Sequence, residues 1–369
     1  MCYCINKKKR MLPYFIILLT VIIIAFIANS YKKTVKIYNF YKFLILSILT
    51  LFAGLRNRSV GTDTSGYVGT YLRKDLDFLS IINGDSRIEF GYKLLENVAL
   101  IFSEQYVALL ITISFVTVYF QLKGIYKLSE QTAISLFVFI TFGIYTYVFN
   151  GARQALAAGI FVYAMTFLIQ GNFKKYVLWI IVASFFHKSV LFGIPLYFLF
   201  RTKFSTKLFF FLILATVGVT VFFNMLISYM SLFSEQYAKY QDIQATGGAY
   251  LTLAFTLLSL FFVLIRSKVH RKFKKNYDVY LNMFLVGTMI YLIIFFSEAY
   301  IEMTRIAFYY ILTAMFIWPI IFKSLQQKEI ALVFMFFMIV HVFFFYFFIG
   351  KMANLNPYIV NPQILNLLQ

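Results

Sequence analysis

Charged residues are scarce in this chain of 369 residues, and their scarcity indicates the class of protein. Only 13% of the residues are Asp, Glu, Lys or Arg, whereas soluble domains carry about 25%. Apolar runs of about 17–25 residues recur along the whole length, and each can cross a bilayer as an α-helix. A soluble enzyme is therefore excluded, and no room is left for a separate soluble domain of ordinary size. The sequence predicts an all-α, polytopic integral membrane protein.

Cysteine and histidine are also rare, and the common cofactor motifs are missing. The two cysteines, Cys2 and Cys4, lie at the extreme N-terminus, so no disulfide framework holds the fold. No GxxxxGK[ST] phosphate loop, HExxH or CxxC pattern occurs, and the chain has only three histidines. We therefore expect no ATP-driven transport, no metal and no cofactor. Nothing in the sequence supports a metal held by Asp and Glu alone.

Acidic residues are few, with 14 Asp and Glu against 34 Lys and Arg, and the formal net charge is +20. In a polytopic protein, an excess of Lys and Arg is typical of cytoplasmic loops. We therefore attribute the positive charge to loops beside the lipid bilayer, and we expect no nucleic-acid partner.

Ten apolar segments predict full transmembrane helices within a single domain at 11–360. A basic extension precedes this domain at 1–10, an extracytoplasmic loop occupies 56–105, and a tail follows at 361–369. The predicted spans are 11–29, 38–55, 106–122, 131–149, 152–170, 207–228, 249–265, 278–296, 305–322 and 329–349.

Basic loops indicate the orientation of these spans. The loop "RSKVHRKFKK" (266–275) carries only basic charges and should face the cytoplasm. Alternation from it leaves 19 Lys and Arg against three acids on the cytoplasmic side, and 11 against 11 outside, without the first ten residues. The basic "NKKKR" (6–10) fits this topology badly, and a start at Met11 would remove the conflict.

The segment 176–200, "YVLWIIVASFFHKSVLFGIPLYFLF", is too short to cross the membrane twice. Both of its flanks are basic and fall on the cytoplasmic side, while each full crossing needs about 20 residues. We therefore predict a re-entrant hairpin of two short helices, with a break near "FFHKS" (185–189) at membrane depth. Broken helices of this kind are tolerated where they line a cavity or pack against protein.

Polar clusters at the ends of the spans need an explanation, because charges near hydrocarbon are costly and by default functional. The first, "GLRNRSVGTDTSGY" (54–67), contains Arg56, Arg58, Asp63, Thr64 and Tyr67. Arginine forks suit phosphate or carboxylate groups. The alternative is a glycine turn with arginines that extend to the interface, which explains neither "GTDT" nor the tyrosine.

The second cluster, "IEFGYKLLE", places Glu89, Tyr92 and Glu96 on one face of a predicted helix. An amphipathic helix that lies on the outer leaflet without a site is the alternative. The third cluster, "FNGARQALAAG", starts a helix with Asn150, Arg153 and Gln154. Helix N-termini attract anions, and the small residues that follow permit close helix packing; a simple loop turn is the alternative.

The fourth cluster is "FFHKS", with His187, Lys188 and Ser189 at the predicted break. A lone histidine in an apolar helix is usually a hydrogen-bonded core residue, and we interpret His341 in this way. His187 differs because a lysine and a serine follow it at a break. Arg305, three residues after Glu302, is a weaker candidate that a local ion pair explains equally well.

By chemistry alone, many cations beside a few carboxylates and a histidine suit an anionic, phosphorylated, lipid-borne substrate. Aromatic side chains would suit sugars, which stack on Tyr and Phe. These residues do not distinguish a lipid-phosphate enzyme from an anion transporter.

The stretches "GLRNRSVGTDTSGY", "IEFGYKLL", "FNGARQALAAGIFVYAM" and "FFHKSVLFGIPLYFL", in this order, resemble the EpsG family of Wzy-like membrane polymerases of bacterial exopolysaccharide and capsule. The resemblance covers most of residues 11–360, and "NPY" (356–358) is similar to family C-termini. It implies that the chain joins oligosaccharide repeat units carried on undecaprenyl pyrophosphate, at the outer face of the bacterial cytoplasmic membrane. A chain-length-determining copolymerase and a flippase are the expected protein partners.

Roles for individual residues follow as hypotheses from the resemblance and from physics. The arginines would hold the donor pyrophosphate, whose charge grows as the sugar–phosphate bond breaks, so no metal is required. His187, Asp63 or Glu89 would accept the proton of the acceptor hydroxyl. The candidate substrate-binding residues are Arg56, Arg58, Thr64, Tyr67, Tyr92, Asn150, Arg153, Gln154, Lys188, Ser189 and Arg305.

Two other functions compete with a polymerase. A flippase or transporter of the same lipid-linked sugars would need polar residues down the depth of several helices, whereas the charged candidates cluster toward one face. A ligase or glycosyltransferase that uses a polyprenyl phosphate donor would need the same charges, and would differ in making one addition instead of a ladder.

Overall fold

The structure, a computed structural model, describes residues 11–73, 88–231, 248–299, 301–351 and 353–362. In these ranges the regular elements are helices, with no β-strand, so the predicted all-α class is confirmed. Ten helical segments of the described chain are long and apolar enough to cross a membrane, and they coincide with the ten predicted spans. The predicted extension at 1–10, and the tail beyond 362, lie outside the described residues.

Two compact units divide the chain, one of residues 1–191 with 326–369 and the other of residues 192–325. We call them the first and the second unit. Whether the boundaries 11–360 enclose a single domain stays a prediction.

The helices of the first unit are α1 (Leu12–Ser30), α2 (Val35–Gly54), α3 (Thr64–Arg73), α4 (Phe90–Phe102), α5 (Tyr106–Leu128), α6 (Thr132–Thr141), α7 (Ala152–Gln170), α8 (Phe173–Ser184) and, after the second unit in the chain, α15 (Gln327–Gly350). The helices of the second unit are α9 (Tyr197–Arg201), α10 (Thr206–Ser231), α11 (Ala249–Ile265), α12 (Arg271–Phe296), α13 (Arg305–Ile311) and α14 (Ala314–Ser324).

Helix α5 lies at the centre of the first unit, where it packs between α2 and α7. A Cβ atom at Gly159 of α7 would lie 2.8 Å from the Thr117 carbonyl oxygen of α5, and Gly124 of α5 approaches Val162 of α7 as closely. Side chains at these two glycines would force the helices apart. The small residues of "ALAAG" therefore permit the close packing of α5 and α7.

The segment 176–200 breaks where the sequence predicts and contains two short helices, but a 3-10 helix that was not predicted lies between them. Helix α8 ends at Ser184, a 3-10 helix follows at Lys188–Gly193, and α9 contains only five residues, Tyr197–Arg201. Pro195 accounts for the difference, because proline has no N–H to donate and disfavours the helical conformation in the residue before it. Re-entry at membrane depth stays a prediction.

Two of the predicted spans are also divided. The span near 131–149 consists of α6 and a 3-10 helix, Thr146–Phe149, separated by Gly143 at a φ of +77°. The span near 305–322 consists of α13 and α14 with a turn at 312–313. Hydropathy alone does not detect such breaks, because the residues around them are as apolar as the helices.

The C-terminal residues 354–361 form a strap that pairs with the residues after α2. The backbone N–H of Asn57 donates to the Ile359 carbonyl at 2.7 Å, and the N–H of Asn361 donates to the Leu55 carbonyl at 2.9 Å. The Tyr358 ring stacks on Phe52 with centroids 4.2 Å apart. The strap thus anchors the beginning of the loop that carries the first polar cluster.

Helix α4 has its polar face turned into the protein. Lys93 and Glu96 are buried and form a salt bridge at 3.2 Å. The opposite face exposes apolar side chains, the reverse of an amphipathic helix in a soluble protein. These exposed residues are Phe90, Leu94, Ile101 and Phe102.

In the second unit, a partly buried ion pair joins three chain segments. Arg266 Nε lies 2.7 Å from Asp278 Oδ1, and Arg266 Nη2 lies 2.8 Å from Oδ2. The backbone N–H of Phe204 donates to the same carboxylate, and Arg266 donates to the Phe204 carbonyl. Asp278 therefore holds the residues that precede α10 and follow α11 against α12.

This pair makes a prediction about stability. Arg266→Ala leaves the buried Asp278 carboxylate without its cation and should destabilise the protein by about 3 kcal/mol. Asp278→Ala leaves the partly buried Arg266 unpaired and should cost less. The double variant should lose clearly less than the sum of the two. Melting of the purified protein in detergent measures this, with the exposed Lys275→Ala as control. Additive losses would contradict the coupling.

Candidate functional site

Three helix ends of the first unit converge on one carboxylate. Glu89 lies at the N-cap of α4, Arg153 in the first turn of α7, and His187 three residues after the end of α8. Arg153 Nη1 lies 2.5 Å from Glu89 Oε2, and His187 Nδ1 lies 3.1 Å from Glu89 Oε1. We call these three residues the triad. It joins the second, third and fourth polar clusters of the sequence.

The triad is partly buried and still accessible. The side chain of Glu89 is 11% exposed, that of His187 23% and that of Arg153 31%. Burial alone would raise the pKa of Glu89, but the His187 hydrogen bond and the Arg153 charge outweigh it, so the pKa lies below its ordinary value. Glu89 is therefore an ionised acceptor for both neighbours at neutral pH.

A close backbone contact brings His187 to Glu89. The Gly91 N–H in α4 donates to the Phe185 carbonyl at 2.8 Å, and a Cβ atom on Gly91 would lie only 2.9 Å from that oxygen. The rings of Phe90 and Phe185 also meet edge to face, with centroids 6.2 Å apart. The helix break after Ser184 thus places His187 beside the start of α4.

Two tyrosines connect α3 and α4 to the triad. The Tyr67 hydroxyl forms a hydrogen bond with Arg153, and its ring lies 5.5 Å from the ring of Tyr92. Tyr92 is buried, and its hydroxyl has no hydrogen-bond partner among the described residues. Both candidate tyrosines therefore lie next to the triad.

The other residues of "GTDT" attach this loop to the start of α7. Asn150 Oδ1 accepts from the Thr62 backbone N–H at 2.8 Å, and the Thr62 hydroxyl donates to Asp63 at 2.9 Å. The Thr64 hydroxyl lies 2.9 Å from the Phe149 carbonyl oxygen. Thr62 lies within the motif but is not among the candidates that the sequence indicates. Its contacts hold the side chains of Asp63 and Asn150 in place.

Gln154 contacts the 3-10 helix that precedes α7, because its Oε1 accepts a hydrogen bond from the Tyr147 hydroxyl at 2.7 Å. Lys188 is exposed and begins the 3-10 helix, and Ser189 follows it. Arg305 is exposed at the start of α13 in the second unit. The side chain of Glu302, its predicted ion-pair partner, lies outside the described residues.

Arg56 has an internal role that its sequence context did not indicate. It is 1% exposed, donates to the Ala53 carbonyl and to the Thr64 hydroxyl, and stacks on the Phe149 ring at 4.3 Å. Burial lowers the pKa of Arg56 to about 10, against the opposing effect of nearby tyrosines, so it stays charged at neutral pH. Arg56 therefore braces the loop from inside, and its contact with substrate stays a prediction.

Arg58 is exposed and lines a cleft with Glu104, apart from the triad residues. The residues of the first polar cluster are thus divided, with Tyr67 beside the triad, Arg56 buried within the loop and Arg58 in this cleft. In the described part of the chain, no three His, Cys, Asp or Glu side chains form a group that could hold a metal ion.

Ten apolar spans and a charged cluster at helix ends of the first unit define a polytopic membrane protein with a polar site. The family model described as the EpsG family matches residues 39–360, so the chain belongs to the EpsG family. This confirms the resemblance of the four motifs and assigns the chain to membrane proteins of polysaccharide synthesis. No curated protein and no solved structure matches the chain.

The lowered pKa of Glu89 makes a prediction about pH. Its contribution to stability is present above the ordinary pKa of 4.5 and is lost as pH falls through the lower folded value. Glu89→Gln should therefore lower stability by about 1.5–3 kcal/mol, both at pH 7 and at pH 5.5, because the carboxylate stays ionised between these values. The difference from wild type should shrink as the pH falls through the folded pKa of Glu89, which lies below 4.5.

Melting curves of the two proteins from pH 7 to pH 3.5 test this, with Glu104→Gln as an exposed carboxylate control. A wild-type advantage that disappears already between pH 7 and pH 5.5 would show that Glu89 is not held ionised by its neighbours.

Proposed function

We propose that this chain polymerises oligosaccharide repeat units carried on undecaprenyl pyrophosphate, at the outer face of a bacterial cytoplasmic membrane. The observation that carries the proposal is the triad, in which one ionised carboxylate holds an arginine and a histidine. In the reaction, the acceptor hydroxyl oxygen bonds to the anomeric carbon of the donor sugar. The bond from that carbon to the pyrophosphate oxygen breaks, its electron pair leaves with the pyrophosphate, and the hydroxyl proton goes to the enzyme.

His187 is the base that receives this proton. A neutral imidazole that donates its Nδ1–H to Glu89 carries its lone pair on Nε2, which can accept from a sugar hydroxyl. Glu89 orients the ring and stabilises the imidazolium that forms, as the carboxylate of a catalytic triad does. Glu89 is thus a positioning residue, and Asp63, tied to Thr62, supports the loop.

Arg153 stabilises the leaving group. Its side chain combines a fixed charge with partial exposure, so it can contact a phosphate while Glu89 and Tyr67 hold it in place. Negative charge grows on the pyrophosphate as the glycosidic bond to phosphate breaks, and preorganised cations stabilise such charge most strongly away from bulk water. The arginine fork also matches phosphate oxygens in geometry.

The surroundings of the triad suit a substrate with a lipid tail. The exposed apolar face of α4 starts at Phe90, directly after Glu89, and Phe185 beside it is also exposed. A polyprenyl chain in the bilayer can lie along this face while its pyrophosphate reaches Arg153. Leu94, Ile101 and Phe102 continue this exposed apolar face along α4, so hydrocarbon is its natural solvent.

A flippase is the second candidate, and the polar interior of the spans weighs against it. The buried polar residues within the described spans of the first unit are neutral apart from those at helix ends, for example Ser114, Thr117 and Gln121 in α5. Intramembrane charges mark the pathways of many transporters. The charged residues of the triad instead lie where helices begin or end, and the buried Lys93–Glu96 pair lies in α4, outside the ten spans.

The proposal predicts the products of variant cells. We would delete the gene, complement it with wild type, Arg153→Ala or His187→Ala, and separate the lipid-linked glycans on a gel. Deletion should collapse a ladder to a single repeat unit on its lipid. Arg153→Ala should reduce polymerisation by about 10²-fold or more and His187→Ala by about 10²–10⁴-fold, while both proteins reach the membrane.

Arg271→Ala and His270→Ala are the matched controls, because both side chains are exposed in the second unit. They should restore a full ladder. Full activity of the Arg153→Ala and His187→Ala variants would refute the assigned roles. If complete repeat units accumulate facing the cytoplasm in the deletion strain, the protein is a flippase. If the deletion removes a single sugar transfer and the ladder remains, the protein is a ligase.

A further inference from the structure

Three lysines of the first unit lie over aromatic rings of α7. Lys123 Nζ lies 4.5 Å and Lys127 Nζ 5.1 Å from the centroid of the Tyr163 ring. Lys175 Nζ lies 5.9 Å from the centroid of the Phe167 ring. The first two lysines belong to the last two turns of α5, and the third to the first turn of α8. We call these five residues the lysine–aromatic patch.

The patch and the triad belong to opposite ends of one membrane span. Arg153 of the triad lies in the first turn of α7, and Phe167 lies close to its C-terminus. At 1.5 Å per residue, the two positions are about 20 Å apart along the helix. The orientation predicted from the basic loops places the patch at the cytoplasmic side.

Helix packing fixes the position of the patch. A Cβ atom on Gly124 of α5 would lie 2.6 Å from the Val162 side chain of α7, so the two helices approach closely beside the lysines. The Tyr163 ring, which is buried, also meets the Trp179 ring of α8 edge to face, with centroids 4.8 Å apart. Three helices therefore bring the lysines and rings together.

The positive charge of the patch is not neutralised by the described part of the chain. None of the salt bridges there involves Lys123, Lys127 or Lys175. An aromatic ring attracts an ammonium group but carries no net charge. Two of the lysines are four residues apart on one helix, where like charges repel each other. An anion bound beside them would relieve this repulsion.

An exposed aromatic stripe leads from the patch along α5 toward the middle of the span. Tyr119 and Phe115 lie one and two turns before Lys123, both are exposed, and their rings stack with centroids 6.1 Å apart. Lys123 Nζ also donates to the Tyr119 hydroxyl at 3.4 Å. Cations at the end of a span beside an exposed apolar stripe match a molecule with an anionic headgroup and acyl chains.

We propose that the lysine–aromatic patch binds the phosphate headgroup of an anionic phospholipid, whose acyl chain lies along Tyr119 and Phe115. Lysines are common at cytoplasmic helix ends, and the shared rings distinguish these three from the other lysines of the first unit. A polyprenyl phosphate offers the same phosphate chemistry, and the experiment separates the two lipids. The proposal does not depend on the proposed function, because neither the triad nor a glycan takes part.

The two tryptophans of the chain permit a site-specific test. Trp179 contacts the patch, whereas Trp318 is buried in the second unit. The purified full chain is placed in nanodiscs that contain phosphatidylglycerol or phosphatidylcholine with the same brominated acyl chains. Bromine quenches tryptophan fluorescence on contact, and competition between the two lipids gives their relative binding constant.

Wild type should prefer phosphatidylglycerol by about tenfold or more, because each lysine near an anionic headgroup contributes about fivefold. Lys123→Gln should lower the preference by about fivefold. The triple variant Lys123→Gln, Lys127→Gln, Lys175→Gln should remove it. In Trp179→Phe the difference in quenching between the two lipids should disappear, because Trp318 is enclosed by protein.

A second triple variant, Lys32→Gln, Lys33→Gln, Lys36→Gln, is the matched control. It removes as many charges from exposed positions of the same unit and should keep the preference. Equal losses in the two triple variants would show that general surface charge attracts the lipid, and would overturn the patch as a site. An unchanged preference in the patch variant, or one that persists in Trp179→Phe, would also overturn it. Unlabelled undecaprenyl phosphate, equimolar with the brominated phosphatidylglycerol, should leave most of the quenching; displacement would identify the polyprenyl lipid as the occupant instead.

Discussion

The carboxylate of Glu89 is the contact on which the arrangement of the first unit's site depends. It binds Arg153 and His187 at once, and so ties together the beginnings of α4 and α7 and the break after α8. Three separate stretches of sequence form one site because these helix ends lie side by side and each carries a charged or titratable group. Burial would favour a neutral carboxyl, and the two neighbours keep it ionised.

The bilayer explains why such groups gather at helix ends. Backbone polar groups must be satisfied inside hydrocarbon, so the spans are helices, and charges within them are costly. Helix ends offer unpaired backbone groups and access to water. The inverted polarity of α4 follows from the same constraint, since its apolar face suits lipid and its Lys93–Glu96 pair is enclosed by protein.

Much of the fold follows from the sequence because hydrophobic length is a local property. The ten spans and the break near His187 could both be predicted from runs of apolar residues and their interruptions. Local pattern failed where an apolar stretch changes direction, as after Pro195 and at Gly143. The burial of Arg56 could not be predicted either. The residues around an arginine beside a glycine-rich loop are the same whether its side chain faces substrate or packs on Phe149.

The sequence by itself determined that this protein is an all-α membrane protein of the EpsG family, since composition, span length and four ordered motifs carry that information. Only the tertiary structure decided which polar residues meet. It brought Glu89 between Arg153 and His187, enclosed Arg56 and set Arg58 in a cleft with Glu104. The physical reason is that contacts between residues distant in the chain depend on helix packing and on where the strap pairs, which no short window of sequence encodes.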